Sequence, residues 1–274
     1  MRIGPVPHLD LDDGFRLYYE VHGPEPGTAP AVLLAHGAGG NALVWWQQVP
    51  AFSERYTTIT FDHRAFGRSP DTDDGPGRIA FGTDTLALID HLELERVHFV
   101  AHSMGGRTAF GLLSRAPTRL ASITYSGTNG GCVSDEARER KVVLESEGYY
   151  AGSLLRRALA DETYEAAPQV AFLYRQLRGV NPPRPRDFLA PAPRRLNYRG
   201  STATRLVESG LPVLWLVGAQ DRVVAPELIA MSHQLTPGSR FALIPNSGHS
   251  SYFENADAWN AAVLEFIGDA EAGR

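Results

Sequence analysis

Short apolar runs recur along this chain, separated by stretches with helical spacing. Positions 15–21 alternate apolar and polar residues, the pattern of an antiparallel edge strand. Runs at 31–35, 57–61, 97–101, 121–125, 213–217 and 240–244 are largely apolar throughout. Runs that short and that apolar read as strands buried on both faces of a mainly parallel sheet. Between them, 79–92, 103–115, 226–235 and 256–267 have helical character, and Pro117 would stop the second. This alternation predicts a doubly wound α/β sheet.

The alternation breaks between about 132 and 205. There the pattern is helical and amphipathic, over 135–148, 151–160 and 163–177, with no strand signal. A proline-rich stretch follows, with Pro182, Pro183, Pro185, Pro191 and Pro193. The reading is a core domain made of 1–132 and 206–274, with 133–205 inserted as a helical cap over the sheet. An extended segment would lead back from the cap. The chain has no internal repeat and no low-complexity tract.

With 274 residues there is ample chain for one large domain with an insertion. A net charge of −5 gives no broad electrostatic footprint for nucleic acid. No run approaches the roughly 18 apolar residues of a membrane span. Positions 1–13 lack the apolar centre of a signal peptide. Cys132 is the only cysteine, so no intrachain disulfide can form. A cytoplasmic location, as monomer or homodimer, is the default expectation. Every basic residue except Lys141 is arginine, and 13 of the 26 lie within 134–205 against 9 acidic residues. The insertion is therefore positive and the remainder negative.

Candidate chemistry sits where the apolar runs end, which is where open α/β sheets bind ligands. Ser103 lies in Ala101-His102-Ser103-Met104-Gly105-Gly106, between a strand and a helix. A sharp turn there lifts a serine hydroxyl out of the sheet, and it needs small neighbours two residues to either side. Ala101 and Gly105 supply them; taken alone, the serine reads equally as a helix cap. Asp221 follows the run 213–217 and could orient an imidazole or merely cap a helix. His249 follows 240–244 in a Gly- and Ser-bearing loop and could serve as general base. The backbone N–H groups of Met104 and of Ala38, in His36-Gly37-Ala38-Gly39-Gly40, could receive a developing oxyanion.

Taken together, these segments make the chain resemble the α/β-hydrolase superfamily over nearly its whole length. The run Phe61-Asp62-His63-Arg64-Ala65-Phe66-Gly67-Arg68-Ser69 is similar to that family's D-x-R-G-x-G-x-S segment. Gly248-His249 with Glu254, Trp259 and Asn260 is similar to its C-terminal histidine segment. Ala101 and Ala65 stand where glycine is usual, and Ala256 where proline is usual. The resemblance implies Ser103 as nucleophile, Asp221 as acid, His249 as base, Ala38 and Met104 as oxyanion donors, and 133–205 as cap.

The expected activity is cofactor-free hydrolysis of a small carboxylic ester or lactone through an acyl-enzyme on Ser103. Two alternatives stay open. One is hydrolysis of a C–C bond in a vinylogous diketone, as in meta-cleavage-product hydrolases. The other is a non-hydrolytic role on the same fold: ligand receptor, cyclase, perhydrolase or oxygenase. Gly37, Trp45, His102 and Cys132 are further candidates for touching substrate, although strand alternation should turn His102 away from Ser103. His36 and Arg64 read as loop braces. No metal site is proposed, since His63, His91, His98 and His233 lack ligand spacing. A positive insertion suits an anionic substrate, but an almost lysine-free chain makes arginine number uninformative without geometry.

Overall fold

A computed structural model describes residues 7–72, 74–184, 188 and 201–273. Eight strands form one sheet: β1 (His8–Asp10), β2 (Arg16–His22), β3 (Ala31–Ala35), β4 (Thr57–Phe61), β5 (Val97–His102), β6 (Leu120–Ser126), β7 (Val213–Gly218) and β8 (Arg240–Ile244). Their order is β1-β2-β4-β3-β5-β6-β7-β8. β1 and β2 pair antiparallel, as do β2 and β4; the rest is parallel. The expected doubly wound α/β architecture is therefore present.

Period-two alternation sorts each buried strand between two cores. Ala31, Leu33 and Ala35 of β3 face one core, with Phe99 of β5 and Trp215 of β7. α2 (Phe81–His91), α3 (Gly105–Arg115), α8 (Thr202–Ser209) and α9 (Pro226–Gln234) have buried residues in that cluster. Val32, Leu34, Val100, Leu214 and Leu216 face the other core. There they meet α1 (Gln48–Phe52), α10 (Ser251–Glu254) and α11 (Ala256–Glu271). Because β3 lies between β4 and β5, the chain departs from it in opposite directions. That reversal opens a crevice beyond the carboxyl ends of β3 and β5.

Within 133–205 the structure corrects the expected helices. The stretch 163–177 is two helices, α6 (Asp161–Ala166) and α7 (Pro168–Gly179), not one. Pro168 disfavours helical backbone at Ala167, which sits at φ −138°, ψ 59°, and then opens α7 itself. Of 151–160 only α5 (Leu154–Arg157) is helical, started by the Ser153 hydroxyl accepting from the Arg156 N–H. α4 (Asp135–Ser146) buries Ala137 and Leu144 against Ala225 and Leu228 beside α9. Ala158, Leu159 and Tyr174 join the second core with Tyr252 and Phe253. The boundary expected at 205/206 falls inside α8, whose Leu206 packs in the first core. Pro185, Pro191 and Pro193 of the expected extended return lie outside the described residues. Among the described residues no helix is long and apolar enough to cross a membrane.

α2 and α3 cross at two glycines. A Cβ on Gly82 would come within 2.9 Å of the Gly111 Cα, and one on Gly111 within 3.0 Å of the Gly82 Cα. Ala in place of Gly gains about 1 kcal/mol of helix propensity. Forcing packed backbones apart costs about 1–3 kcal/mol. Gly111→Ala is therefore expected to lower the urea midpoint of unfolding. A raised midpoint would show that the helices do not depend on this contact.

Candidate active site

The turn after β5 is the sharpest feature of the crevice. Ser103 takes left-handed backbone, φ +50°, and its N–H donates to the Ser126 carbonyl at 2.9 Å. An L-residue there costs roughly 1–2 kcal/mol. Ala101, standing where glycine is usual, is buried extended strand; the positive φ falls on Ser103 itself and on Ala65, at +68°. Small residues are required around the turn by close approach. A Cβ on Gly37 would lie 3.0 Å from the Ser103 Cβ, and one on Gly105 would lie 2.7 Å from the Ala35 carbonyl oxygen.

The Ser103 hydroxyl reaches His249 Nε2 at 2.9 Å, and His249 Nδ1 reaches Asp221 Oδ2 at 2.8 Å. A carboxylate only accepts, so Nδ1 carries the proton and the Nε2 lone pair faces the serine O–H. The second Asp221 oxygen accepts from the N–H groups of Val223 at 2.7 Å and Val224 at 2.9 Å. Its side chain is fully buried and thereby fixed in rotation. Backbone bonds tie the two loops together: the Ala219 N–H donates to Ile244 O, and the Gln220 N–H to Ser247 O. A Cβ on Gly218 would lie 2.0 Å from the Gly248 carbonyl oxygen, so the loops touch backbone to backbone.

The loop after β3 is braced from below. His36 Nε2 accepts the His63 N–H at 3.0 Å, so its Nδ1 bears the proton donated to Gly37 O at 2.8 Å. Asp62 accepts the N–H groups of Ala42 and Arg68 at 2.5 and 2.7 Å. Arg64 is held by Asp13, Asp71 and Asp84, away from the cavity. Among the described residues the Ala38 and Met104 N–H groups have no acceptor. Ala38 is on the cavity wall, and Met104 caps α3.

The cavity encloses about 30 Å³ between Ser103, His249 and the loop 37–40. Gly37 and His102, two of the candidates for touching substrate, belong to its wall. The His102 ring does not turn away: it packs on His249 with centroids 4.9 Å apart, because at the strand end its Nδ1–H reaches across to Ser126 O. Trp45 and Cys132 are corrections. Trp45 is buried on Tyr252 and Trp259 in the second core. Cys132 is buried beside the Ser232 carbonyl, and burial pushes its thiol up to about 11. Trp46 packs on Phe253 at the surface. Tyr252 of α10 also lines the cavity; the other side chains that sequence reasoning missed come from the insertion: Leu154, Ala158, Tyr174 and Arg178. Helical periodicity marked their segments but carried no register relative to Ser103.

Glu254 was read only as part of a motif. Its carboxylate accepts from the Gly248 N–H at 2.8 Å, the Ala160 N–H at 2.7 Å and the Thr163 hydroxyl at 2.6 Å. It thus pins the loop of His249 to the base of the insertion.

A profile of the alpha/beta hydrolase fold matches residues 30–256. A protein provisionally named carbamate hydrolase RutD, from Variovorax paradoxus (strain S110), is 39% identical over 93% of this chain and 97% of its own. Another so named, from Caulobacter sp. (strain K31), is 29% identical over 92% of this chain and 95% of its own. Among solved structures, a thermophilic esterase from Thermogutta terrifontis superposes with a TM-score of 0.77 at 25% identity, covering 96% of this chain and 98% of that one.

Two outcomes follow from the buried polar groups. Burial holds His36 down to about 4, and His63 and His102 well below the ordinary 6.5. The unfolded chain therefore binds more protons between those limits, so stability is full above the unfolded value and declines as pH falls. The melting temperature should drop steadily from about pH 7 to about pH 5; a flat profile would contradict neutral buried imidazoles. Glu254→Gln sets an amide N–H against at least one of three donors. It should cost about 1–3 kcal/mol in a denaturant titration, and an unchanged midpoint would show the clamp to be slack.

Proposed function

The chain belongs to the α/β-hydrolase fold family, and we propose that within it this protein is a serine hydrolase that needs no cofactor and cleaves small carboxylic esters or lactones. The observation that carries the proposal is the unbroken relay from Ser103 Oγ through His249 to Asp221, at 2.9 and 2.8 Å. It stands beside two N–H groups, of Ala38 and Met104, that have no acceptor among the described residues.

In this reading Ser103 Oγ attacks the substrate carbonyl carbon while its proton passes to His249 Nε2. The carbonyl π pair moves onto oxygen, and the Ala38 and Met104 N–H groups receive that charge. Each such donor is worth roughly 2.7–4 kcal/mol in the transition state. Asp221 stabilises the imidazolium. Collapse of the tetrahedral adduct expels the alcohol, which takes the proton from His249. Water then repeats the sequence: His249 removes its proton, hydroxide adds to the acyl carbon, and Ser103 leaves reprotonated. His102 stays neutral beside this traffic, since burial and the charge of His249 both depress it.

The segment 133–205 acts as the cap, with Leu154, Ala158 and Tyr174 closing the cavity from above. A volume near 30 Å³ favours a small acyl group. The name carried by the 39%-identical relative favours a second reading, a carbamate carbonyl attacked by the same serine. Those two substrates differ only in the atom flanking the carbonyl.

Ser103→Ala should lower kcat on p-nitrophenyl acetate by at least about 1,000-fold and abolish labelling by a fluorophosphonate probe. Turnover retained by that variant would overturn the assignment.

A further inference from the structure

The insertion is rich in arginine, and the structure singles out which one matters. Tyr174 and Arg178 stand four residues apart on α7, hence on one helix face. Both line the cavity that holds Ser103 and His249. That face sits directly on the loop after β3. A Cβ on Gly39 would lie 2.7 Å from the Tyr174 hydroxyl oxygen and 3.0 Å from Arg178 Nη1. Glycine at position 39 is what lets the phenol and the guanidinium reach the loop.

Neither group is used up by the fold. Tyr174 is buried, and its hydroxyl accepts from the Ser250 hydroxyl at 3.1 Å. Its own proton has no acceptor among the described residues, and it remains free to be donated into the cavity. The Arg178 guanidinium has no hydrogen bond and no carboxylate partner among the described residues. Two other arginines near the site are paired, Arg64 with Asp13, Asp71 and Asp84, and Arg222 with Asp161.

Two carboxylates beside the site, among the described residues, are already committed. Asp221 is spent on His249 and two backbone N–H groups. Glu254 is spent on Gly248, Ala160 and Thr163. A second cation adds to the field instead of cancelling it. Arg184 stacks 3.9 Å over Phe66 and donates to the Ala65 carbonyl; its burial and the neighbouring Arg178 charge both press its pKa down. A partly enclosed guanidinium without a counter-ion is a costly arrangement unless a ligand supplies one.

We propose that Arg178 and the Tyr174 hydroxyl form an anion subsite beside Ser103, and that the substrate carries a carboxylate within a few bonds of its scissile carbonyl. The inference rests on the serine-hydrolase reading and narrows it to half-esters of short dicarboxylic acids or their close analogues. The cavity of about 30 Å³ sets the short spacing, since one small enclosure holds both the nucleophile and the cation. Guanidinium and carboxylate match as planar two-pronged partners, and the phenol adds a third donor.

The test uses the whole protein and two matched esters. p-Nitrophenyl hemisuccinate carries the charge, and p-nitrophenyl 4-methylpentanoate has the same shape without it. The wild type should favour the charged ester in kcat/KM. Arg178→Gln should cut the ratio of the two values by about 10- to 100-fold, with Arg178→Lys recovering part of it. Tyr174→Phe, which keeps the ring packing, should cut the ratio by about 3- to 10-fold. A ratio that stays within about twofold in Arg178→Gln overturns the subsite while leaving the hydrolase reading intact.

Calorimetric titration with succinate and with succinamide separates the reverse case. Succinate should bind the wild type and lose at least about tenfold in affinity in Arg178→Gln; succinamide should not bind measurably. Succinate binding with this dependence, in a protein that turns over neither ester, would sustain the subsite and overturn the hydrolase reading. Equal binding of succinate and succinamide would overturn the subsite whatever the turnover.

Discussion

Everything at the carboxyl edge of this sheet is arranged around one strained residue. Ser103 holds left-handed backbone between β5 and α3, at φ +50°. The conformation costs roughly 1–2 kcal/mol and survives only because its surroundings over-determine it. β6 contributes the Ser126 carbonyl that receives the Ser103 N–H. β3 must approach closely enough that Gly37 and Gly105 cannot bear a Cβ without colliding with Ser103 or Ala35. The turn therefore dictates glycine at the start of α3, Gly105, and in the loop after β3, Gly37, and that loop in turn meets α7. An ordinary type I geometry at this position would aim the hydroxyl elsewhere and leave the glycines without a purpose.

Carboxylates and imidazoles lock the remaining loops, each by satisfying donors that burial would otherwise strand. Asp221 holds its imidazole with one oxygen and two backbone N–H groups with the other. His36 is confined to one tautomer by accepting from His63 and donating to Gly37. Asp62 takes two amides from opposite ends of the same corner. Glu254 differs in reach, because two of its three donors belong to the insertion. The position of His249 and the position of the roof over it are thus one mechanical problem. Burial raises the pKa of the Glu254 carboxyl, and the same three donors work against the rise.

The fold was legible because a sheet covered on both sides imposes a composition. β3 shows it most plainly, with all five residues of 31–35 apolar and buried; 57–61 and 240–244 also match β4 and β8 residue for residue, although β4 buries three threonines and β8 is a partly exposed edge. The candidate nucleophile, acid and base were legible for a related reason. Loops at strand ends are the places where polar residues escape that requirement, and Ser103, Asp221 and His249 each follow one of those apolar runs. What failed was orientation. Trp45 follows the loop after β3, yet a large ring gains more by packing on Tyr252 and Trp259 than by walling a cavity. His102 obeys strand alternation at Cα but extends far enough at the strand end to meet His249. Pro168 broke a helix that apolar spacing alone carried through.

The insertion shows why charge could be counted in the sequence and still not be read. Thirteen basic residues within 134–205 describe a field, and a field summed over an exposed surface is screened within about 10 Å. Pairing then removes part of what composition promises: Arg138, Arg140 and Arg156 each meet a carboxylate, as does Arg222 beside the insertion. Arg157 is spent on backbone carbonyls instead. Recognition depends on a cation left over at the wall of the cavity that holds Ser103. α7 places Arg178 there because Tyr174, one turn earlier, anchors the same face in the second core. The packing of an aromatic ring thereby decides which of 25 nearly interchangeable arginines can act on a substrate.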